Sequence, residues 1–294
     1  MKLQDFLNKI QKILNKKQAK ITNISQKNNI LEQDKPYFEE NYTKLRLLHV
    51  SGGPFLMGAN EISPDETASH CVTLSPFWIG ETPVLNWHYY RFLETTRYAD
   101  LSFFKKGNFR DPHQPVVNID WDDAQCYCNW LSEGSTKYKF SLPSEAQWEC
   151  AARGTDQRLY PWGNEPPTEK RACFGLDPTT GAPGVVKSYP EGCGPFETYD
   201  QSGTVWEWCL DDWNDLAYWS RLRGGQIDPV EKVKKASRRN SKQDDETSYR
   251  VIRGGCWRSP PPPSKELWAA YRNKRRLWYK GPDLGFRVVA TLRS

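Results

Sequence analysis

The sequence has no paired cysteines: its eight, at 71, 126, 128, 150, 173, 193, 209 and 256, form no Cys-x-x-Cys pair, and no Cys/His cluster has zinc spacing. Scattered thiols of this kind pack as small hydrophobes, so buried, reduced cysteines are expected. Histidine is scarce, and His49, His70, His88 and His113 stand apart without the spacing of a ligand pair. No apolar run approaches the roughly 20 residues a membrane span needs. Met1 to Lys20 interleave Lys and Asp with apolar residues, which excludes a signal-peptide core. A soluble, cytoplasmic protein is the expectation. Charge of one sign is also weak: a formal +5 over 294 residues does not by itself argue for nucleic acid.

What is present is aromatic. Only 37% of residues are hydrophobic, yet 13 are tryptophan, which implies an aromatic core with many loops rather than a Leu-built bundle. Leu3, Phe6, Leu7, Ile10, Ile13 and Leu14 follow helical spacing, so an N-terminal amphipathic helix is expected, with Lys2, Lys9, Lys12, Lys16 and Lys17 on its polar face. Three readings fit it: a helix docked on the domain or a partner, a flexible tether, or a basic membrane-surface helix. Residues 1–44 are read as helix and linker, and 45–294 as one globular domain.

Within that domain Leu45 to Val50 and Cys71 to Leu74 read as strands. A helix should follow Thr82-Pro83 and bury Leu85, Tyr89, Phe92 and Leu93. A second should start at Asp120 with Asp123 supporting the cap, and carry Ala124, Tyr127, Cys128 and Leu131 on one face. Ser144 and Gln147 form a capping box for a third, ending near Arg153-Gly154. Only turns and short strands are expected after it, an α+β pattern. The basic insertion at 226–248 has almost no apolar residues and reads as a solvated loop.

The C-terminal segment, about residues 253–287, is dense in the side chains that dominate binding interfaces. Trp257, Arg258, Lys265, Glu266, Trp268, Asn273, Lys274, Arg276, Trp278, Tyr279 and Lys280 are the candidate ligand-binding residues, on one contiguous exposed patch. Trp121, Trp148, Trp162, Trp206 and Trp208 are expected in the core. Arg253, Arg272 and Arg287 are expected to tie strands and loops together through carboxylates and carbonyls.

A run of landmarks carries a resemblance. Phe55-Leu56-Met57-Gly58, Pro115-Val116-Val117-Asn118, Leu142-Pro143-Ser144-Glu145-Ala146-Gln147-Trp148-Glu149, Tyr160-Pro161-Trp162-Gly163, Val205-Trp206-Glu207-Trp208, Arg253-Gly254-Gly255 and Gly285-Phe286-Arg287 occur in this order. The chain resembles the formylglycine-generating enzyme (sulfatase-modifying factor) domain family over about residues 45–292. The resemblance implies an α+β, C-type-lectin-like fold with much irregular structure.

In catalytic members the resemblance implies a copper ion held by two cysteines. Those positions fall here at Ser259 and Ser264, and copper(I) prefers soft thiolates to hydroxyls. Cys256 stands at the usual serine of the Gly-Gly-Ser motif and reads as a core thiol. The family's calcium positions are weakened by Thr204 and Cys173, leaving Asp177, Glu207 and carbonyls. No catalytic residue, metal or cofactor is therefore expected, with calcium on the remaining oxygens as the alternative. The sulfoxide synthases sharing this domain need a histidine triad in an added helical domain, which four separated histidines do not supply. The chain is similar in character to the variable proteins of diversity-generating retroelements, which display altered side chains from a C-terminal coding segment. The expectation is a non-catalytic protein that binds a macromolecule, most simply a protein. The alternative is a divergent oxidase acting on peptide cysteine.

Overall fold

The computed structural model of the chain describes residues 36–60, 68–98, 111–222, 226–233 and 248–293. The expected N-terminal helix and most of the basic insertion lie outside the described residues.

The second and third helices start where side chains satisfy orphan backbone N–H groups. Helix α1 (Asn86–Thr96) buries Tyr89, Phe92 and Leu93, with Leu85 buried at its N-cap. Helix α2 (Trp121–Glu133) has Asp120 as N-cap, accepting from Asp123 N while Asp123 accepts from Asp120 N. Helix α3 (Glu145–Arg153) is capped in the same reciprocal way by Ser144 and Gln147, and Gly154, at φ +64°, ends it. Each such cap contributes about 1 kcal/mol. A short helix α4 (Ala217–Arg221) and a 3-10 turn (Pro190–Gly192) follow where only turns and strands are expected from sequence. Both are too short for a periodic signal.

Strands β1 (Tyr37–Glu39), β2 (Arg46–Val50), β5 (Phe77–Gly80), β12 (Val289–Leu292) and β6 (Tyr138–Ser141) form a five-stranded sheet in the order β1-β2-β5-β12-β6. Residues 37–39, assigned to the linker by sequence, thus belong to the globular body. Sheet β3 (Gly53–Met57), β4 (His70–Leu74), β8 (Gln226–Ile227) flanks it. The third sheet runs β10-β9-β7-β11, with β7 (Trp206–Asp212), β9 (Tyr249–Arg253), β10 (Arg272–Arg276) and β11 (Leu284–Gly285). The pairing of β10 with β9 makes β10 a terminal strand among the described residues.

Aromatic residues fill the main core, where Trp87, Tyr89, Phe92, Tyr127, Trp206, Trp208, Trp257 and Phe286 are all buried. Buried indoles keep a polar partner: Trp208 Nε1 donates to Ile119 O (2.9 Å) and Trp148 Nε1 to Glu207 Oε2 (2.7 Å). Trp121 and Trp162, expected in the core, are only half-buried, because each turns its N–H toward a carbonyl at the rim, that of Cys209 and of Glu165.

The arginines are where sequence places them. Arg253 is fully buried, donating to Glu149 Oε2 (2.5 Å), Glu145 Oε1 (3.3 Å) and the carbonyls of Ala269 and Ala270. Arg272 donates to both Glu145 oxygens (2.6 and 2.9 Å), and Arg287 to both Glu207 oxygens (2.6 and 2.7 Å) and to Gly80 O and Tyr199 O. Burial alone would raise the Glu145 carboxyl, but Arg272 and Arg253 beside it hold its pKa below the ordinary value.

Candidate functional site

The C-terminal segment leaves β9 through two glycines whose backbones need positive φ, +99° at Gly254 and +71° at Gly255. Space demands them too: a Cβ on Gly254 would lie 3.0 Å from the Trp148 ring, and one on Gly255 2.9 Å from Glu266 O. This turn seats Cys256 and Ser259 in the interior. Ser259 is 1% exposed; its hydroxyl donates to Glu266 Oε2 (2.6 Å), accepts from Cys256 N (2.9 Å) and lies 3.8 Å from Cys256 Sγ. Ser264 is half-buried beyond the exposed prolines Pro260 to Pro263, its hydroxyl accepting from Glu266 N (3.4 Å).

This donor set does not fit copper. The hydroxyls at 259 and 264 are hard donors already engaged within the protein, and burial pushes the one nearby thiol, Cys256, up to about 11, so it is protonated at neutral pH. In the calcium region Asp177 is exposed and accepts through Oδ1 from Thr179, while the other candidate oxygens are engaged. Both Glu207 oxygens are taken by Arg287 and Trp148, and the Cys173 carbonyl accepts from Thr204 N. Among the described residues no group of three His, Cys, Asp or Glu could hold a metal ion.

The candidate binding residues fall into separate groups. Trp257 is a correction: it is 0% exposed, sealed under the segment with Nε1 donating to Pro282 O (3.1 Å), and presents no surface. Its sequence neighbours mark a loop, but the turn at Gly254-Gly255 drives its ring inward. Arg258, half-buried, lies over the Trp257 ring (4.4 Å). Lys265 lies over Trp268 (5.2 Å), whose indole donates to Tyr160 OH (3.1 Å), and Tyr160 stacks on Trp162. Glu266 is committed to Ser259. Lys280 joins another element, reaching Asp123 (2.5 Å) and Asp120 (3.1 Å) at the start of α2.

Strand alternation splits the rest. Arg272, Lys274 and Arg276 share one side of β10, and Asn273 and Arg275 the other. On the first side a ladder of rings and cations runs outward. Arg272 lies between Tyr218 (4.2 Å) and Trp213 (4.6 Å), Lys274 between Trp213 (4.7 Å) and Tyr249 (5.6 Å), and Arg276 between Tyr249 (5.6 Å) and Trp278 (5.8 Å). Trp278 is 52% exposed at its outer end. On the second side Arg275 stands over Tyr279 (5.6 Å), and Arg250 is pinned by Asp212 under the Trp121 ring. The sequence reading missed Trp213, Tyr249 and Arg250 and left Arg275 out of the candidate residues; reading Tyr249 to Arg253 and Arg272 to Arg276 as facing strands would have brought together all of these but Trp213.

Away from this surface, a cleft of about 380 Å³ opens between the β1–β2 turn and residues 185–187, with Trp87 and His88 lining it and Glu81 bridging Arg46 (3.4 Å) and Lys187 (2.5 Å).

Comparisons with known proteins agree with this architecture. A profile described as the sulfatase-modifying factor enzyme 1-like domain matches residues 34–292. The serine/threonine-protein kinase Pkn1 of Chlamydia trachomatis is 30% identical over 264 residues, 83% of this chain and 38% of that protein. The chain spans about 40% of the length of such Chlamydia relatives. The formylglycine-generating enzyme of Streptomyces coelicolor is 28% identical over 301 residues, covering 82% of this chain and 88% of the enzyme. Among solved structures, PvdO from Pseudomonas aeruginosa superposes with a TM-score of 0.70 at 25% identity, over 87% of this chain and 99% of PvdO. Treponema denticola variable protein 1 shares the fold, with a TM-score of 0.63 at 21% identity over 86% of this chain and 97% of its own.

Proposed function

This chain belongs to the sulfatase-modifying factor enzyme 1-like domain family, and from that premise we propose that it is a non-catalytic member whose C-terminal surface binds a macromolecule, foremost a protein. The observation that carries this reading is the fate of Ser259. Where a thiolate would have to meet a metal, a buried hydroxyl is closed into hydrogen bonds with Glu266 and the Cys256 N–H. The same segment keeps Arg276 and Trp278 exposed and Lys274 and Tyr279 half-buried, cations and rings of the kind that anchor interfaces.

In this reading Arg258, Lys265, Trp268, Lys274, Arg276, Trp278, Tyr279 and Lys280 are presented to the ligand, while Trp257 and Glu266 hold their loop and Asn273 caps the Lys274 N–H. Selectivity comes from retroelement diversification of the segment, a role that the fold held in common with Treponema denticola variable protein 1 supports. In the Chlamydia kinases the matching region is a minor part of a longer protein, which suits a domain that recognises rather than reacts.

The test is the DNA beside the gene. A near-copy of the coding sequence for the last part of the chain, differing at adenines and close to a reverse-transcriptase gene, is expected. A locus with neither removes diversification. For binding itself, Trp268→Ala, Trp278→Ala or Tyr279→Ala should each weaken a partner captured by the full chain by roughly 2 kcal/mol or more. Unchanged affinity in all of them removes the surface.

A further inference from the structure

The ladder on β10 ends at a sheet edge, and we propose that this edge takes an extended acidic peptide as an added antiparallel strand, with alternate carboxylates on Lys274 and Arg276. The proposal rests on the binding reading above and names the chemistry of the partner.

Among the described residues β10 pairs with β9 alone. Leu277 N donates to Ser248 O (3.4 Å), continuing the register in which Arg275 faces Arg250 and Asn273 faces Ile252. Antiparallel alternation makes those the hydrogen-bonded pairs, so the N–H and C=O of Lys274 point away from β9. Side chains hold both groups: the N–H donates to Asn273 Oδ1 (2.8 Å), and Arg275 Nη1 donates to the C=O (2.9 Å). An open edge is a template for another strand. Beyond Lys274 the Arg276 C=O accepts from Tyr279 N (2.9 Å), and at Lys274 itself the two side-chain caps close the edge. Each rotates about its own side-chain bonds, so an incoming strand replaces them without moving the sheet.

Facing residues of an antiparallel pair project on one side. A peptide residue opposite Lys274 would therefore lie beside its ammonium, and the residue two along would lie beside Arg276, at a strand repeat of about 6.8 Å. Charge selects acid. Four of the five residues of β10 are Arg or Lys, and on this side Lys274 and Arg276 stand over rings, which help to hold the cations in place. Asp215, 3.5 Å from Lys274, is 59% exposed and readily exchanged. A single-stranded nucleic acid could use the same cations and rings, but it brings no strand of amides to Lys274.

The experiment is fluorescence anisotropy on the full chain, with a labelled peptide of alternating Glu and Thr. Methylating the amides along one edge of the peptide should weaken binding at least about tenfold. Grouping the same glutamates in one block should also weaken it. Asn273→Ala, which removes a cap, should tighten binding about threefold, whereas Lys274→Gln with Arg276→Gln should abolish the preference for alternation. Equal binding of the methylated peptide, weaker binding by Asn273→Ala, or displacement of the peptide by oligo-dT overturns strand addition. Should the peptide fail while Trp268→Ala, Trp278→Ala and Tyr279→Ala still lose a captured partner, only strand addition falls. Should those variants keep the partner too, the binding surface falls with it.

Discussion

Replacing Trp257 and Trp278 by alanine should have opposite consequences, although both stood among the binding residues on sequence grounds. Trp257 is 0% exposed within the main core, and its ring packs so closely on residue 181 that a Cβ added there would lie 2.7 Å away. Removing such a side chain costs about 3–5 kcal/mol through lost burial and the cavity left behind. Pro282 O also loses its indole donor, about 1 kcal/mol more. With a urea slope of about 2–3 kcal/mol/M, the unfolding midpoint of Trp257→Ala should fall by roughly 1.3–3 M. Trp257→Phe keeps most of the volume but not the N–H and should fall between. Trp278, 52% exposed, should change stability by about 0.5 kcal/mol or less. A Trp257→Ala protein within about 1 kcal/mol of the parent, or a Trp278→Ala protein as damaged as Trp257→Ala, would refute the division of the segment into a sealed part and a presented part.

Glu145→Ala should cost about 3–5 kcal/mol in a denaturant melt, since it leaves the buried Arg253 and Arg272 short of their shared carboxylate; a loss below about 1 kcal/mol would show that water replaces it. Burial raises Asp200 to about 6 and Asp211 to about 7. With folded pKa values above the unfolded ones, both contribute stability that is full below about pH 4 and lost as pH rises through about 6–7. His70, lowered by burial, acts in the opposite sense. In a His70→Gln background the urea midpoint should therefore drop between about pH 5 and pH 8, and a flat or rising midpoint contradicts the burial of the aspartates. A competition titration with a copper(I) chelator should find no tightly held ion; one ion per chain together with oxidation of a cysteine peptide would reverse the non-catalytic assignment.

Much of the fold could be read from the sequence because local rules and tertiary packing agree there. Asp120 with Asp123, and Ser144 with Gln147, cap helices whose apolar spacing points the same way. Arg253, Arg272 and Arg287 were legible because a guanidinium beside Gly-Gly, Ala-Ala-Tyr and Gly-Phe landmarks has few ways to be satisfied. The site was harder. Trp257 and Trp278 have similar polar and cationic neighbours in sequence, and only the positive-φ turn at Gly254-Gly255 decides that the first points inward. Lys274 and Asn273 are adjacent in sequence and on opposite sides in space, so a list of residues along a strand could not reveal which ones act together. Trp213 and Tyr249 join the ladder from outside the C-terminal segment, through pairing across more than 20 residues of intervening chain.

The buried arginines bear on inheritance as well as on stability. Arg253 and Arg272 are held by Glu145 and Glu149 on α3, and Arg287 by Glu207 on β7, all encoded well upstream of the segment they fasten. Changes confined to codons 273 to 280 would leave those carboxylates and the three arginines intact. If the segment is diversified as proposed, positions 273 to 280 can change from version to version while the same three clamps return each one to the same shape.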